Sequence, residues 1–160
     1  MATRLDYVWR ERSVELAWND GSREDTASRE VAWDPRRTSV TGFDVEIAVR
    51  ANGRTNVDLY LNAALLQHFH WEIWEDLAPK RWRGDALGSL QNGTNIFKIV
   101  FYKDILHPVG VTATYTVTST LTYEGSPPTV QPEWEKYLIP AIAITSLGAA
   151  IAILGRRRKP

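Results

Sequence analysis

The chain of 160 residues contains no cysteine, which excludes both a disulfide framework and a thiolate metal site. It has only three histidines, and its 19 basic residues are balanced by 19 acidic ones. There is no G-x-S-x-G elbow, no P-loop and no G-x-G-x-x-G, so the usual routes to acyl transfer and nucleotide chemistry are closed. Acidic residues are plentiful, but none forms a close pair in a recognisable setting, so no glycosidase dyad is assigned. Neither an internal repeat nor a low-complexity segment is present. The opening MATRLDYVWRERSVELAW spreads its charges and offers no unbroken apolar stretch, so no signal peptide is expected there. No enzymatic activity and no cofactor are expected.

A long, strongly apolar run occurs once. Residues 138–154 read LIPAIAITSLGAAIAIL, preceded by Trp134 and Tyr137 and followed by Arg156, Arg157, Arg158 and Lys159. At about 1.5 Å per residue, an 18-residue helix covers roughly 27 Å, close to the hydrocarbon thickness of a thin bilayer. The aromatics suit one interface and the cations the other. Pro140 falls in the first turn, where a missing N–H costs little. Residues 134–155 are therefore expected to be a single transmembrane helix, a tail anchor with a basic tip at 156–160. Gly148 and Ala152, with Ala141, Thr145 and Ala149, give it a small-residue face for helix packing.

The remainder has the length of one ordinary domain. Residues 133–160 hold 5 of the basic and 2 of the acidic side chains, leaving 14 against 17 before them. A faintly acidic domain does not suit nucleic acid, whereas the tail suits anionic lipid or packaged nucleic acid. Seven Trp and six Tyr fit a β-rich fold.

Alternation of apolar and polar residues marks the strands. Leu5, Tyr7 and Trp9, then Val14, Leu16 and Trp18, predict two short strands. Residues 23–37 read as a loop with a short edge strand around Val31 and Trp33. Phe43, Val45, Ile47 and Val49 predict a strand over 39–50, and Asn52-Gly53 joins it as a hairpin to Val57, Leu59 and Leu61. Residues 65–74 place Phe69, Trp71 and Ile73 on one face and His68, His70 and Glu72 on the other. Residues 75–90 look irregular. IFKIVFYK over 96–103 predicts a central strand buried on both faces. In 111–123 six threonines alternate with Val111, Ala113, Tyr115, Val117, Leu121 and Tyr123, a long strand with one polar face. Residues 126–133 form a proline-rich spacer. Seven or eight strands imply an all-β, antiparallel β-sandwich over 1–125, with jelly-roll or immunoglobulin-like connectivity.

The best candidate metal constellation is His68, His70, Glu72 and Glu75, because alternate residues of a strand point the same way and imidazole with carboxylate can hold zinc, iron or manganese. His68, His70 and Glu75 resemble the first motif of the cupins, which implies a jelly roll with a metal. The glycine expected before the pair is missing, and no histidine follows Pro108-Val109-Gly110. Asn92-Gly93-Thr94 matches a glycosylation sequon, but Asn-Gly is also what a tight turn demands.

Leu59-Tyr60-Leu61-Asn62, followed by Leu90-Gln91-Asn92-Gly93-Thr94-Asn95 and the apolar run from Ile96, resembles the galactose-binding-like jelly rolls. That resemblance implies the fold, in domains that serve either as carbohydrate binders or as plain structural modules. A single jelly roll, a proline spacer, one helix and a basic tip also resemble membrane-associated capsid proteins of icosahedral viruses with an internal membrane. The positive-inside rule puts the tail in the cytoplasm, yet no export signal is seen for the domain; in such a virion the domain lies in the shell and the cations face the genome.

The expected function is a membrane-anchored structural protein, a capsid or surface-lattice component, at the virion internal membrane or a cell membrane. Its expected partners are the lipid bilayer, other protein subunits, and nucleic acid or anionic lipid at the basic tail. A single-span accessory subunit of a cellular membrane complex and a carbohydrate- or metal-binding surface domain are the alternatives.

Overall fold

The computed structural model describes residues 1–16, 21–52, 55–72, 74–75, 77–103 and 111–132. They form nine strands: β1 (Thr3–Leu16), β2 (Ser22–Ala32), β3 (Thr38–Ala51), β4 (Thr55–Leu61), β5 (Ala64–His70), β6 (Pro79–Asp85), β7 (Gly93–Lys103), β8 (Val111–Gly125) and β9 (Thr129–Pro132), with a short 3-10 turn at Leu87–Ser89. β1 pairs with β8, β2 with β7, β3 with β6 and β4 with β5, all antiparallel. The strand numbers in each pair add to nine, as they do when one long hairpin is rolled up. This is the jelly roll, one of the two connectivities the strand count allowed. Further pairing of β3 with β8 and of β4 with β7 gives the sheet orders β1-β8-β3-β6 and β5-β4-β7-β2-β9.

The expected hairpin between the third and fourth strands is not formed. β3 and β4 lie in different sheets, so the connection at 52–54 crosses from one layer to the other. Both strands bury alternate residues in the shared core, and alternation looks the same whether two strands pair or face each other.

Four other segments differ from the sequence reading. β1 is one strand of 14 residues, with a bulge between Val8 and Arg10. The extra residue shifts the inward phase from Leu5, Tyr7 and Trp9 to Val14, which in sequence looks like a break. Residues 22–32, read as mostly loop, make β2, an interior strand between β7 and β9. Residues 79–85, read as irregular, make edge strand β6; Pro79 is its first residue, and Gly84 leaves room for the Trp82 ring. β9 lies within the expected spacer. β7 is central, but only Phe97, Ile99 and Phe101 are fully buried, while Ile96 is exposed, because no third layer covers its outer face.

The core lies between the sheets. Trp9 sits edge-on to Phe97 and Phe43, with ring centroids 4.7 and 6.4 Å away, and its indole N–H donates to Ser119 Oγ at 2.7 Å. Ser119 is the polar break in the inward face of β8, and the Trp9 donor accounts for it. The threonines at 112, 114, 116, 118, 120 and 122 point outward, as their spacing predicts. The last residues of β1, β3, β5 and β7 and the first of β2, β4, β6 and β8 lie at one end of the sandwich.

Gly125 has φ +95°, and a Cβ there would collide with the Arg37 carbonyl oxygen. Gly125→Ala should lower Tm by roughly 5–15 °C, a loss of about 2–3 kcal/mol. Gly88→Ala, which meets nothing within 4 Å, should stay within about 0.5 kcal/mol of wild type. Parallel thermal melts of the two variants check this.

Candidate functional site

The densest polar cluster among the described residues lies where β1 and β2 close one side of the sandwich. Asp25 occupies an inward position of β2, alternating with Ala27 and Val31, and is 9% exposed. Its Oδ2 accepts from Arg10 Nε at 3.2 Å, and its Oδ1 from Arg10 Nη2 at 3.0 Å, Arg12 Nη1 at 3.2 Å and its neighbour's Thr26 N–H at 3.0 Å. The buried Tyr115 hydroxyl donates to Oδ2. Burial pushes the Asp25 carboxyl up, but the Arg10 and Tyr115 hydrogen bonds and the charges of Arg10 and Arg12 outweigh it and hold the carboxyl below its usual range. Tyr115 is pushed up, first by burial and then by Asp25. Every donor converges on one carboxylate, so the cluster is a clamp between strands rather than a reacting centre. Beside it, Arg29 lies 5.7 Å from the Trp9 ring and donates to the Val8 carbonyl at 2.8 Å, covering the core at the bulge.

The outer face of the β1-β8-β3-β6 sheet carries a trough of about 330 Å³. Ser13, Ala48, Thr114 and Thr116 form its floor, with Glu11 at the β1 side and Arg50 and Arg81 at the β6 side. Its one aromatic, Tyr115, is buried and spent on Asp25. The trough offers hydroxyls and guanidinium groups but no ring on which a sugar could stack.

On the other sheet, His68 and His70 stand on the outer face of β5, as their spacing predicts. Each engages β4 through Nδ1: His68 with Asp58 Oδ1 at 2.6 Å, His70 with Asn56 Oδ1 at 2.8 Å. His70 Nε2 lies 3.5 Å from Glu72. Tyr102 on β7 closes beside His68, 3.4 Å from Nδ1; burial, then the charge of Asp58, raises its hydroxyl pKa. Glu75 turns elsewhere: it accepts from the Glu72 N–H at 2.8 Å and Lys80 at 3.0 Å, and these contacts lower its pKa. Among the described residues, no group of three or more His, Asp or Glu is arranged to hold a metal ion.

The galactose-binding-like pattern has a structural role here. Asn62, in the left-handed region at φ +56°, donates its backbone N–H to Ile96 O at 2.8 Å, accepts the Ile96 N–H on Oδ1 at 3.0 Å, and donates from Nδ2 to Ser89 O at 2.7 Å and Asn95 Oδ1 at 3.1 Å. Asn95 is fully buried and ties down the carbonyls of Gln91 and Gly93. The pair locks the β4–β5 turn onto the connection into β7. Asn92 of the sequon grips Trp33 by two side-chain bonds of 3.0 and 2.9 Å, so this Asn-Gly turn holds the β2–β3 connection.

Trp134, Tyr137, Pro140, Gly148, Ala152 and the tail Arg156, Arg157, Arg158 and Lys159 lie outside the described residues. Among those described, no helix is long and apolar enough to cross a membrane. Arg10, Arg12, Asp25 and Tyr115 were not singled out from sequence. The available signal was Asp25 itself, a carboxylate in phase with inward residues of an alternating strand.

No protein-family model and no curated protein matches the chain. Among solved structures it is similar to the CBM36-1 domain of a multidomain xylanase from the hindgut metagenome of Trinervitermes trinervoides, at 7% identity over 78% of this chain and 99% of that one, with a TM-score of 0.44. The Gx strain of infectious bursal disease virus matches at 9% identity over 86% of this chain and 42% of that one, with a TM-score of 0.44. Empty-head turnip yellow mosaic virus matches at 15% identity over 81% and 82%, with a TM-score of 0.35. These are likenesses of overall shape, and no residue role is taken from them.

Asp25→Ala should cost about 2–4 kcal/mol at neutral pH, because it strands the Tyr115 hydroxyl and two guanidinium groups. With the folded pKa of Asp25 depressed, its contribution is present above the unfolded value of about 4 and is lost as pH falls through the folded value. Denaturant midpoints measured from neutral to acid pH should therefore fall less steeply below about pH 4 in the variant than in wild type.

Proposed function

We propose that this protein is a non-catalytic structural subunit: a jelly roll held to a bilayer by its C-terminal segment and built into a capsid or surface lattice. The observation that carries this reading is the path of the chain. β9 runs along the β2 edge, and only five residues separate Pro132 from the uncharged run at 138–154. Entered through Trp134 and Tyr137 and closed by Arg156, Arg157, Arg158 and Lys159, that run suits a single span over 134–155. The basic tip then meets anionic lipid or packaged nucleic acid on the far side.

The sandwich supports a structural role through its surfaces. The trough on its threonine-bearing sheet is a hydroxyl-lined depression, and its densest ionic cluster is closed on itself. Edge strand β6 begins with Pro79 and carries Lys80, Arg81 and Arg83, which blunts strand addition. Copies would meet through the threonine-bearing face and the loop ends, where contact does not depend on edge pairing. A single-span accessory subunit shares the same anchor, with Gly148 and Ala152 packing on a partner helix.

The full chain, produced with membranes present, should float with vesicles and resist alkaline carbonate extraction, and cross-linking should yield a ladder of copies of itself. A chain that stays soluble and monomeric sinks the proposal. Recovery beside unrelated membrane subunits, abolished by Gly148→Leu, transfers the function to the accessory-subunit reading.

A further inference from the structure

Most of the described arginines are committed. Arg10 and Arg12 hold Asp25, Arg23 and Arg29 cap the carbonyls of Glu15 and Val8, Arg37 lies 3.6 Å from Asp34, and Arg83 lies 3.2 Å from Asp44. Arg50 and Arg81 are an adjacent pair left over. Both are exposed, and neither makes a hydrogen bond, ion pair or ring contact with a described residue.

Strand register sets the two side by side. Arg50 on β3 stands opposite Pro79, and Arg81 lies two residues further along β6, opposite Ala48. Side chains so related share a face of the sheet and lie about 7 Å apart. Like charges at that spacing repel, and the nearest acidic side chain does not relieve them. Glu46, the next outward residue of β3, forms no ion pair with Arg81 and does not line the trough, while Arg83 opposite it turns to Asp44. Two neighbouring guanidinium groups without a counter-charge call for an anion.

The trough beside them accommodates the rest of such a ligand. Across the sheet, the row Arg81, Ala48, Thr116, Glu11 runs next to the row Pro79, Arg50, Thr114, Ser13. The short Ala48 side chain leaves the hollow, and at about 330 Å³ it reaches the size at which small-molecule sites begin, about 300 Å³. A planar carboxylate is matched by one planar guanidinium fork. Two forks from different strands and a threonine hydroxyl from the floor approach from three directions, which suits the three terminal oxygens of a phosphate or sulfate ester. Glu11, at the far wall, accepts a hydroxyl and repels a second anionic group. Asp44, Glu46 and Asp85 on the same sheet face also disfavour a polyanionic chain.

The geometry points to an oxyanion site in this trough: it binds a phosphate or sulfate monoester of a hydroxyl-bearing molecule, with the ester oxygens on Arg50 and Arg81 and a hydroxyl on Glu11. This goes beyond the structural role proposed above and does not depend on the reading of 134–155.

Full-length protein in non-ionic detergent is titrated calorimetrically at low salt with glucose 6-phosphate, glucose 6-sulfate, inorganic phosphate and glucose. At least one ester should bind about tenfold or more tighter than glucose, and Arg50→Gln and Arg81→Gln should each weaken that ester by about tenfold. Glu11→Gln should tighten inorganic phosphate by about twofold or more, because it removes a repelling charge. Arg4→Gln, an uncommitted arginine on β1 outside the trough, should change nothing. Both trough-arginine variants should melt no lower than wild type, since each relieves repulsion. A tighter sulfate ester identifies the source as a sulfated glycan, and a tighter phosphate ester as a phosphorylated metabolite. Failure of both esters to bind, or binding that survives both arginine substitutions, overturns the site. Inorganic phosphate that binds as tightly as either ester and ignores Glu11→Gln overturns it as well, leaving an adventitious ion only.

Discussion

A two-layer sandwich closes only if each polar group that faces its interior finds a partner there. Three inward positions test this. Asp25 gathers Arg10, Arg12 and Tyr115, Ser119 takes the indole N–H of Trp9, and Asn95 holds the carbonyls of Gln91 and Gly93. Each lies where regular pairing is interrupted: beside the β1 bulge, opposite it, and at the entry to β7. Asp25 and Ser119 are satisfied from other strands, whereas Asn95 closes its own turn and takes its distant contact from Asn62. The apolar core supplies the driving force, and these three contacts define which rolled-up arrangement fits over it.

The same economy shapes the surface. Neither sheet is covered by a third layer, so the outer faces are mostly polar: a file of threonines on one, and a row of histidine, aspartate, asparagine and tyrosine contacts on the other, with Val8, Leu65 and Ile96 as exposed apolar exceptions. Large exposed apolar groups stand out against that background, and Trp74 and Leu77 lie together at one end.

Much of the sandwich was legible in the residues. Period-two alternation located β3, β4, β5 and β8, and the threonine file was assigned to the correct face. The phase shift at Trp9 concealed the unity of β1, since a one-residue bulge and a turn leave the same trace. β2 was hidden by Asp25 and Arg29, whose inward placement only makes sense once Arg10, Tyr115 and the Val8 carbonyl are seen beside them. The histidines were placed on the right face, while the partners that occupy them, Asp58 and Asn56 on β4, come from strand pairing.

By itself, then, the sequence determined an all-β domain, the inward residues of most strands and an uncharged run bracketed by aromatics and cations, because periodicity and hydropathy are local properties. Only the tertiary structure decided which strands pair, that β3 and β4 lie in different sheets, and that Asn62 and Asn95 brace turns. Strand pairing depends on hydrogen bonds and packing between residues tens of positions apart, and neither leaves a local trace in the order of the amino acids.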